Sequence, residues 1–158
     1  MRRATAILRA AGATLLTALV VTGCASAGAT SSIAVANAYV PAPTTPGTTV
    51  AYLNIRNNGQ ADKLISVQTS VGGKVQLRAP SGRHGGILTM HTVPEIPIPA
   101  NTMMHLNPDT FHLLITGAGA MPDGKDIMLR LTFAKAGTVT VIAMVTNAES
   151  GGSSYFLN

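Results

Sequence analysis

From residue 33 onward the chain is written in short alternating runs. In 49–56 (TVAYLNIR) the apolar Ala51, Leu53 and Ile55 take every second place, with Tyr52, Asn54 and Arg56 between them. Period two is the mark of a strand with one buried face. Residues 63–69, 74–78, 87–93, 102–106, 111–116, 127–133 and 138–145 read as further strands. The first run, 33–40, alternates until Asn37 interrupts it. Punctuation falls between the runs: Pro41, Pro43, Pro46 and Gly47; Asn57-Asn58-Gly59; Ser70 to Gly73 in the numbers 70–73; Asn107-Pro108-Asp109; and Gly117 through the loop 117–124. Gly85 and Gly86 mark a turn at the end of a glycine-containing loop, 81–86. Each set uses residues that fix or free φ. Pro94, Pro97 and Pro99 flank Ile96 and Ile98, so that segment is expected as an extended edge or connector, since proline cannot donate within a central strand. No run carries the 3.6-residue period of an amphipathic helix. The expectation is an all-β domain, an antiparallel sandwich or barrel of about eight or nine strands.

Ahead of these runs lies a segment of different character. Arg2, Arg3 and Arg9 are followed by an uncharged apolar stretch, 10–21, and then by Val21-Thr22-Gly23-Cys24. The apolar stretch is shorter than the roughly 20 residues a spanning helix needs. A basic start, a short apolar stretch and a small residue at the cut describe a secretory leader. The cysteine after the cut resembles the bacterial lipoprotein signal, which implies cleavage before Cys24 and a diacylglycerol on its sulfur. Two acyl chains suffice for a stable membrane anchor. The chain then divides into a leader (1–23), a lipidated start and flexible tether (24–32), one β domain (33–147) and a tail (148–158). Cys24 is the single cysteine, so no internal disulfide holds the domain.

The leader alters the charge picture. The whole chain carries eleven Lys and Arg against six Asp and Glu, a formal +5. Without the three leader arginines, eight basic side chains face six acidic ones. Neither basic run nor aromatic platform is present, which argues against a nucleic-acid partner. No cysteine nucleophile remains, and neither Asp109 near His112 nor Ser81 near His84 makes a catalytic set by proximity in sequence, so no enzyme is expected. The distinctive chemistry lies in 84–114, which holds all four histidines (His84, His91, His105, His112) with Met90, Met103 and Met104. Strand alternation puts His91 opposite to Met90, puts Met103 and His105 on one face, and leaves Met104 on the other.

Taken in order, Ala51-Tyr52-Leu53, Asn57-Asn58-Gly59, Val75-Gln76-Leu77, Met90, Ile98-Pro99-Ala100, Leu106-Asn107-Pro108, Phe111-His112-Leu113-Leu114, Leu131-Thr132-Phe133 and 137–141 resemble the periplasmic copper chaperone family PCu(A)C. The resemblance implies a cupredoxin-like β-sandwich, probed by neither composition nor period, and an extracytoplasmic Cu(I) carrier. It further implies a copper-acceptor partner such as the CuA subunit of cytochrome oxidase. The protein is expected as a monomer, held at the membrane by the lipid on Cys24. The family's ligands are a histidine, a methionine about eleven residues on, and a His-x-Met. Met90 and His112, with 21 residues between them, fall on two of these positions. Arg78 stands at the end of the strand where the first histidine is expected, and Leu114 stands for the last methionine. His84 is the first candidate for a third ligand, if the 81–86 loop carries it toward Met90. Thioether and imidazole together favour Cu(I) over hard cations. Against a lipid-anchored copper carrier stands a second expectation: the same sandwich with a decayed copper site, serving as a surface interaction module.

Overall fold

Ten strands follow one another in the computed structural model, which describes residues 31–147. They are β1 (Ile33–Pro41), β2 (Thr48–Asn57), β3 (Asp62–Thr69), β4 (Lys74–His84) and β5 (Ile87–Val93). The second half comprises β6 (Ile96–Ile98), β7 (Thr102–Leu106), β8 (His112–Thr116), β9 (Asp126–Phe133) and β10 (Gly137–Thr146). No helix occurs among the described residues. The leader, the tail and Cys24 lie outside them.

The strands lie in the order β5-β4-β8-β2-β1-β10-β9-β3-β6, and β7 also pairs with β2. Strand β2 serves two partners along one edge: Thr48 to Ala51 pair with β8, and Leu53 to Asn57 pair with β7. Its other edge meets β1. The all-β expectation therefore holds, with two corrections. There are ten strands, because Ile96–Ile98 closes the path as an edge strand on β3. The pairing is also not wholly antiparallel, because β1 runs parallel to β10.

Alternation decides what is buried. In β2, Thr49, Ala51, Leu53, Ile55 and Asn57 point inward, and the residues between them point out. Leu113 and Ile115, Leu129 and Leu131, and Phe133 meet them in one continuous core. Each such apolar side chain contributes about 1.5–3 kcal/mol by leaving water. Asn37 has φ of 52° and coincides with a register shift between β1 and β2. Asparagine tolerates this conformation, so the interrupted alternation marks a bulge rather than the end of the strand.

Two buried polar residues tie turns to this core. Asn57 Nδ2 donates to the carbonyls of Gln60 and Pro99, and its Oδ1 accepts from Gly59 N–H. Asp62 accepts from the backbone N–H groups of Lys63, Lys135 and Ala136 and from the Ser31 hydroxyl. Burial alone would raise its pKa, but these hydrogen bonds outweigh it and hold the carboxyl below its ordinary value. Asp62 thus fastens the β9–β10 turn to the start of β3.

The largest local departure from expectation is the β4–β5 hairpin. The pattern ends this strand at Arg78 and predicts a loop over 81–86, yet β4 continues to His84. A bulge between Pro80 and Gly82 absorbs the proline and the broken alternation. Backbone pairing then carries the strand on, as far as a two-residue turn at Gly85 and Gly86 with φ of 57° and 81°. Positive φ at both positions gives the tight turn whose twist matches the strands it joins.

Candidate metal site

The outer face of β1, β2, β8, β4 and β5 carries a row of larger polar and aromatic side chains. Register sets Tyr39 beside Tyr52, and Arg78 between His112 on one side and Thr92 on the other. The rings of Tyr39 and Tyr52 lie 5.2 Å apart, and Tyr52 meets His112 edge to face at 6.2 Å. Met90 joins this face two residues before Thr92, opposite Pro80. Behind the row, Leu77, Ala79 and Leu113 are buried. The row therefore stands on a rigid sheet.

His112 is half-buried, and its Nδ1 is shut off from solvent with no hydrogen-bond partner. Burial lowers its pKa, and the nearby Arg78 charge lowers it further. At neutral pH the imidazole is uncharged, the form that can bind a metal. Burial likewise pushes Tyr52 up, helped by Tyr39, so both phenols stay protonated.

Arg78 lies between the two residues singled out by motif register. Its guanidinium donates to Thr92 Oγ1 at 2.7 Å and to the Met90 carbonyl at 2.8 Å. Met90 and His112 thus share a face but sit on strands separated by β4, with a fixed cation on that strand. Guanidinium has no lone pair to offer a metal, and it repels one. Leu114 also faces outward, two residues after His112, and brings only hydrocarbon.

His84 does not join them. It pairs with Ile87 at the tip of the hairpin, while Met90 pairs with Pro80. Ile87 and Met90 are three residues apart, so His84 lies about 10 Å along the strand and on the opposite face. The approach expected from the 81–86 loop is absent because residues 82–84 are paired with β5. His91 is exposed opposite Ala79. Met104 packs on the core and Met103 is exposed, the division that alternation predicts. His105 is exposed on β7, its Nδ1 2.8 Å from Asn54 Oδ1. Among the described residues no three His, Cys, Asp or Glu side chains gather into a metal-sized group.

Sequence reasoning missed Thr92 and the tyrosine pair. Tyr39 and Tyr52 carry an outward-facing signal in their alternation, but nothing in the chain says that they are neighbours. Thr92 has no signal at all: its role arises from the β4–β5 register.

Several solved structures share this architecture. The copper-bound PCuAC domain from PmoF2 matches at a TM-score of 0.61 and 23% identity, covering 73% of this chain and 92% of that one. The solution structure of CuI-DR1885 from Deinococcus radiodurans matches at 0.58 and 27% identity, covering 78% and 83%. The resemblance read from the sequence is borne out at the level of the fold. No curated protein matches the sequence. A family described as "Putative lipoprotein LpqE-like" matches residues 33–145. That span takes in nearly all of the ten-stranded domain, and the chain belongs to the LpqE-like family.

Proposed function

We propose that this chain is an extracytoplasmic copper-binding protein, anchored by lipid on Cys24, that carries Cu(I) to an acceptor such as the CuA subunit of a respiratory oxidase. Copper is its cargo, and it does no bond chemistry of its own. The observation that carries this reading is His112: an uncharged, half-buried imidazole with an unpartnered buried Nδ1, on one face with Met90. Two solved structures with this fold are a copper-bound PCuAC domain and a Cu(I) form of DR1885. Met90 and His112 are the proposed ligands. His84 is withdrawn as the third because of its place at the hairpin tip. The division into leader (1–23), tether (24–32), domain (33–147) and tail (148–158) goes with this proposal.

Arg78 sets the terms of entry. For Met90 and His112 to share an ion, its guanidinium must leave Thr92 and the Met90 carbonyl. Hydrogen bonds to charged groups contribute about 1.5–3 kcal/mol each, so the intact arginine weakens binding. A carrier must release its cargo, and a weakened exposed site makes exchange easier.

The same arginine favours a second reading, a lipoprotein whose copper site has decayed and whose sandwich serves as an interaction module. Titration with Cu(I) against a competing chelator separates the two. The carrier reading expects sub-picomolar binding, lost in Met90→Ala/His112→Ala and tightened in Arg78→Ala. Micromolar binding indifferent to all three changes would leave only the module.

A further inference from the structure

The path of the chain around β2 brings His105 next to His112. Strands β7 and β8 occupy the same edge of β2, one after the other. His105 pairs with Asn54, Leu106 with Leu53, and Leu113 with Ala51. Only Tyr52 is left between the two ladders, and the ring contact confirms His112 as its neighbour. Residues 107–111 therefore bulge out of the line, closed by Thr110 N–H donating to the Asn107 carbonyl. Six steps of chain collapse into one step of sheet. Asn54 and Tyr52 both face outward, and so do the histidines beside them. By this register their backbone positions are about 6.6 Å apart along the strand direction, the spacing of a His-x-His pair on one strand.

Their chemistry fits that spacing. The Asn54 amide oxygen only accepts, so His105 Nδ1 is the donor in this contact and Nε2 is the nitrogen left for a metal. Metal-binding histidines are commonly oriented in this way by an acceptor on the other nitrogen. The Met103 thioether lies two residues before His105 on the same exposed face. Met103 lies on the far side of His105 from His112, about 13 Å along the strand from it and out of reach of a shared ion. Arg78 lies across the sheet and is turned toward β5. Arg56, opposite Met103, is turned to the Asn58 side chain. Arg83 is paired with Asp109 in the bulge. No guanidinium has to move for an ion to reach these imidazoles.

We infer that His105 and His112 form an imidazole pair that holds the copper ion along the β7–β8 line. Imidazole suits copper. This rests on the copper reading above and moves the ion from the Met90 side of His112 to the His105 side.

The test uses the full-length chain purified in detergent, titrated with Cu(I) against a chromogenic chelator while imidazole NMR signals are followed. His105→Ala is expected to weaken binding at least tenfold, and Asn54→Ala about tenfold through loss of orientation. His91→Ala, exposed opposite Ala79 and outside both donor sets, should leave affinity within about threefold, and the His105 and His112 signals should shift together. His105 is exposed, and a thermal melt confirms that its variant folds. Loss of binding in Met90→Ala with none in His105→Ala would overturn this inference and leave the Met90–His112 site standing. Absence of binding in the unaltered chain would overturn both.

Discussion

At the scale of single residues, Arg78 and His112 show how one side chain sets the state of another. His112 is expected to titrate below the ordinary value of about 6.5, first because it is buried and then because of the Arg78 charge. Arg78→Met should raise that pKa but not restore it fully, since burial remains; an NMR pH titration of the imidazole checks this. The sign for stability follows. The native state takes up this proton less readily than the unfolded chain does, so His112 lowers stability as pH falls through the ordinary histidine range. Asp62 behaves as a carboxylate with a depressed pKa. Its contribution is present above about pH 4 and is lost as pH falls through its folded value. Asp62→Asn keeps an oxygen for the Lys63 and Lys135 N–H groups but sets an amide NH2 against the Ala136 N–H, and should cost about 1–3 kcal/mol at pH 7. The gap between wild type and variant, read from denaturation midpoints, should narrow toward pH 3.

At the scale of elements, turns and bulges control where the outer-face row falls. Gly73 leads into β4 with φ of 79°, and a Cβ there would lie 2.5 Å from the Thr116 carbonyl oxygen and 2.8 Å from Ala118 N. Both neighbours are backbone and cannot turn aside. Gly73→Ala should therefore destabilise by about 2–4 kcal/mol, a large effect with strain and overlap as its named cause. Because Lys74 pairs with Thr116 at this end of β4, the damage should spread to the β4–β8 ladder. Hydrogen exchange should show faster opening there than at β9–β10. Gly85, at the far hairpin turn, also has positive φ, but nothing lies within 4 Å of its missing Cβ. Alanine there meets backbone strain alone and should cost less. The Pro80–Gly82 bulge has a different consequence: it keeps the hairpin paired and so fixes His84 at its tip.

At the scale of the whole molecule, the ladder of β1 beside β10 brings the two ends of the domain together. Tyr39, Val40 and Pro41 run parallel to Met144, Val145 and Thr146. One core stretches from Val40 to Val145. No helix among the described residues is long and apolar enough to cross a membrane. In the proposed reading, attachment is through the lipid at Cys24. Cys24→Ser should move the protein from the membrane fraction to the soluble extracytoplasmic fraction and abolish labelling by radioactive fatty acid. Its copper affinity should not change, since the proposed site lies wholly within the β domain.

Much of the fold was legible because period-two alternation is local. The inward Ala51, Leu53 and Ile55 and the outward Tyr52 and Asn54 follow from their order in the chain. The Asn37 bulge, the Asn57 turn and the proline-rich edge at 94–99 each had a residue whose backbone chemistry announced it. The parallel β1–β10 ladder was not legible, because strand direction depends on a distant partner. Nor was the continuation of β4 to His84, where hydrogen bonds to β5 outweighed a poor local pattern. Motif spacing drew attention to Met90 and His112, and the sheet then set Arg78 between them. What the sequence by itself determined was which residues face out and which chemistry they carry. Only the tertiary structure decided which of them are neighbours. The reason is that β pairing joins residues far apart in sequence: His105 and His112 become adjacent because 107–111 leave the sheet between two ladders on one edge of β2.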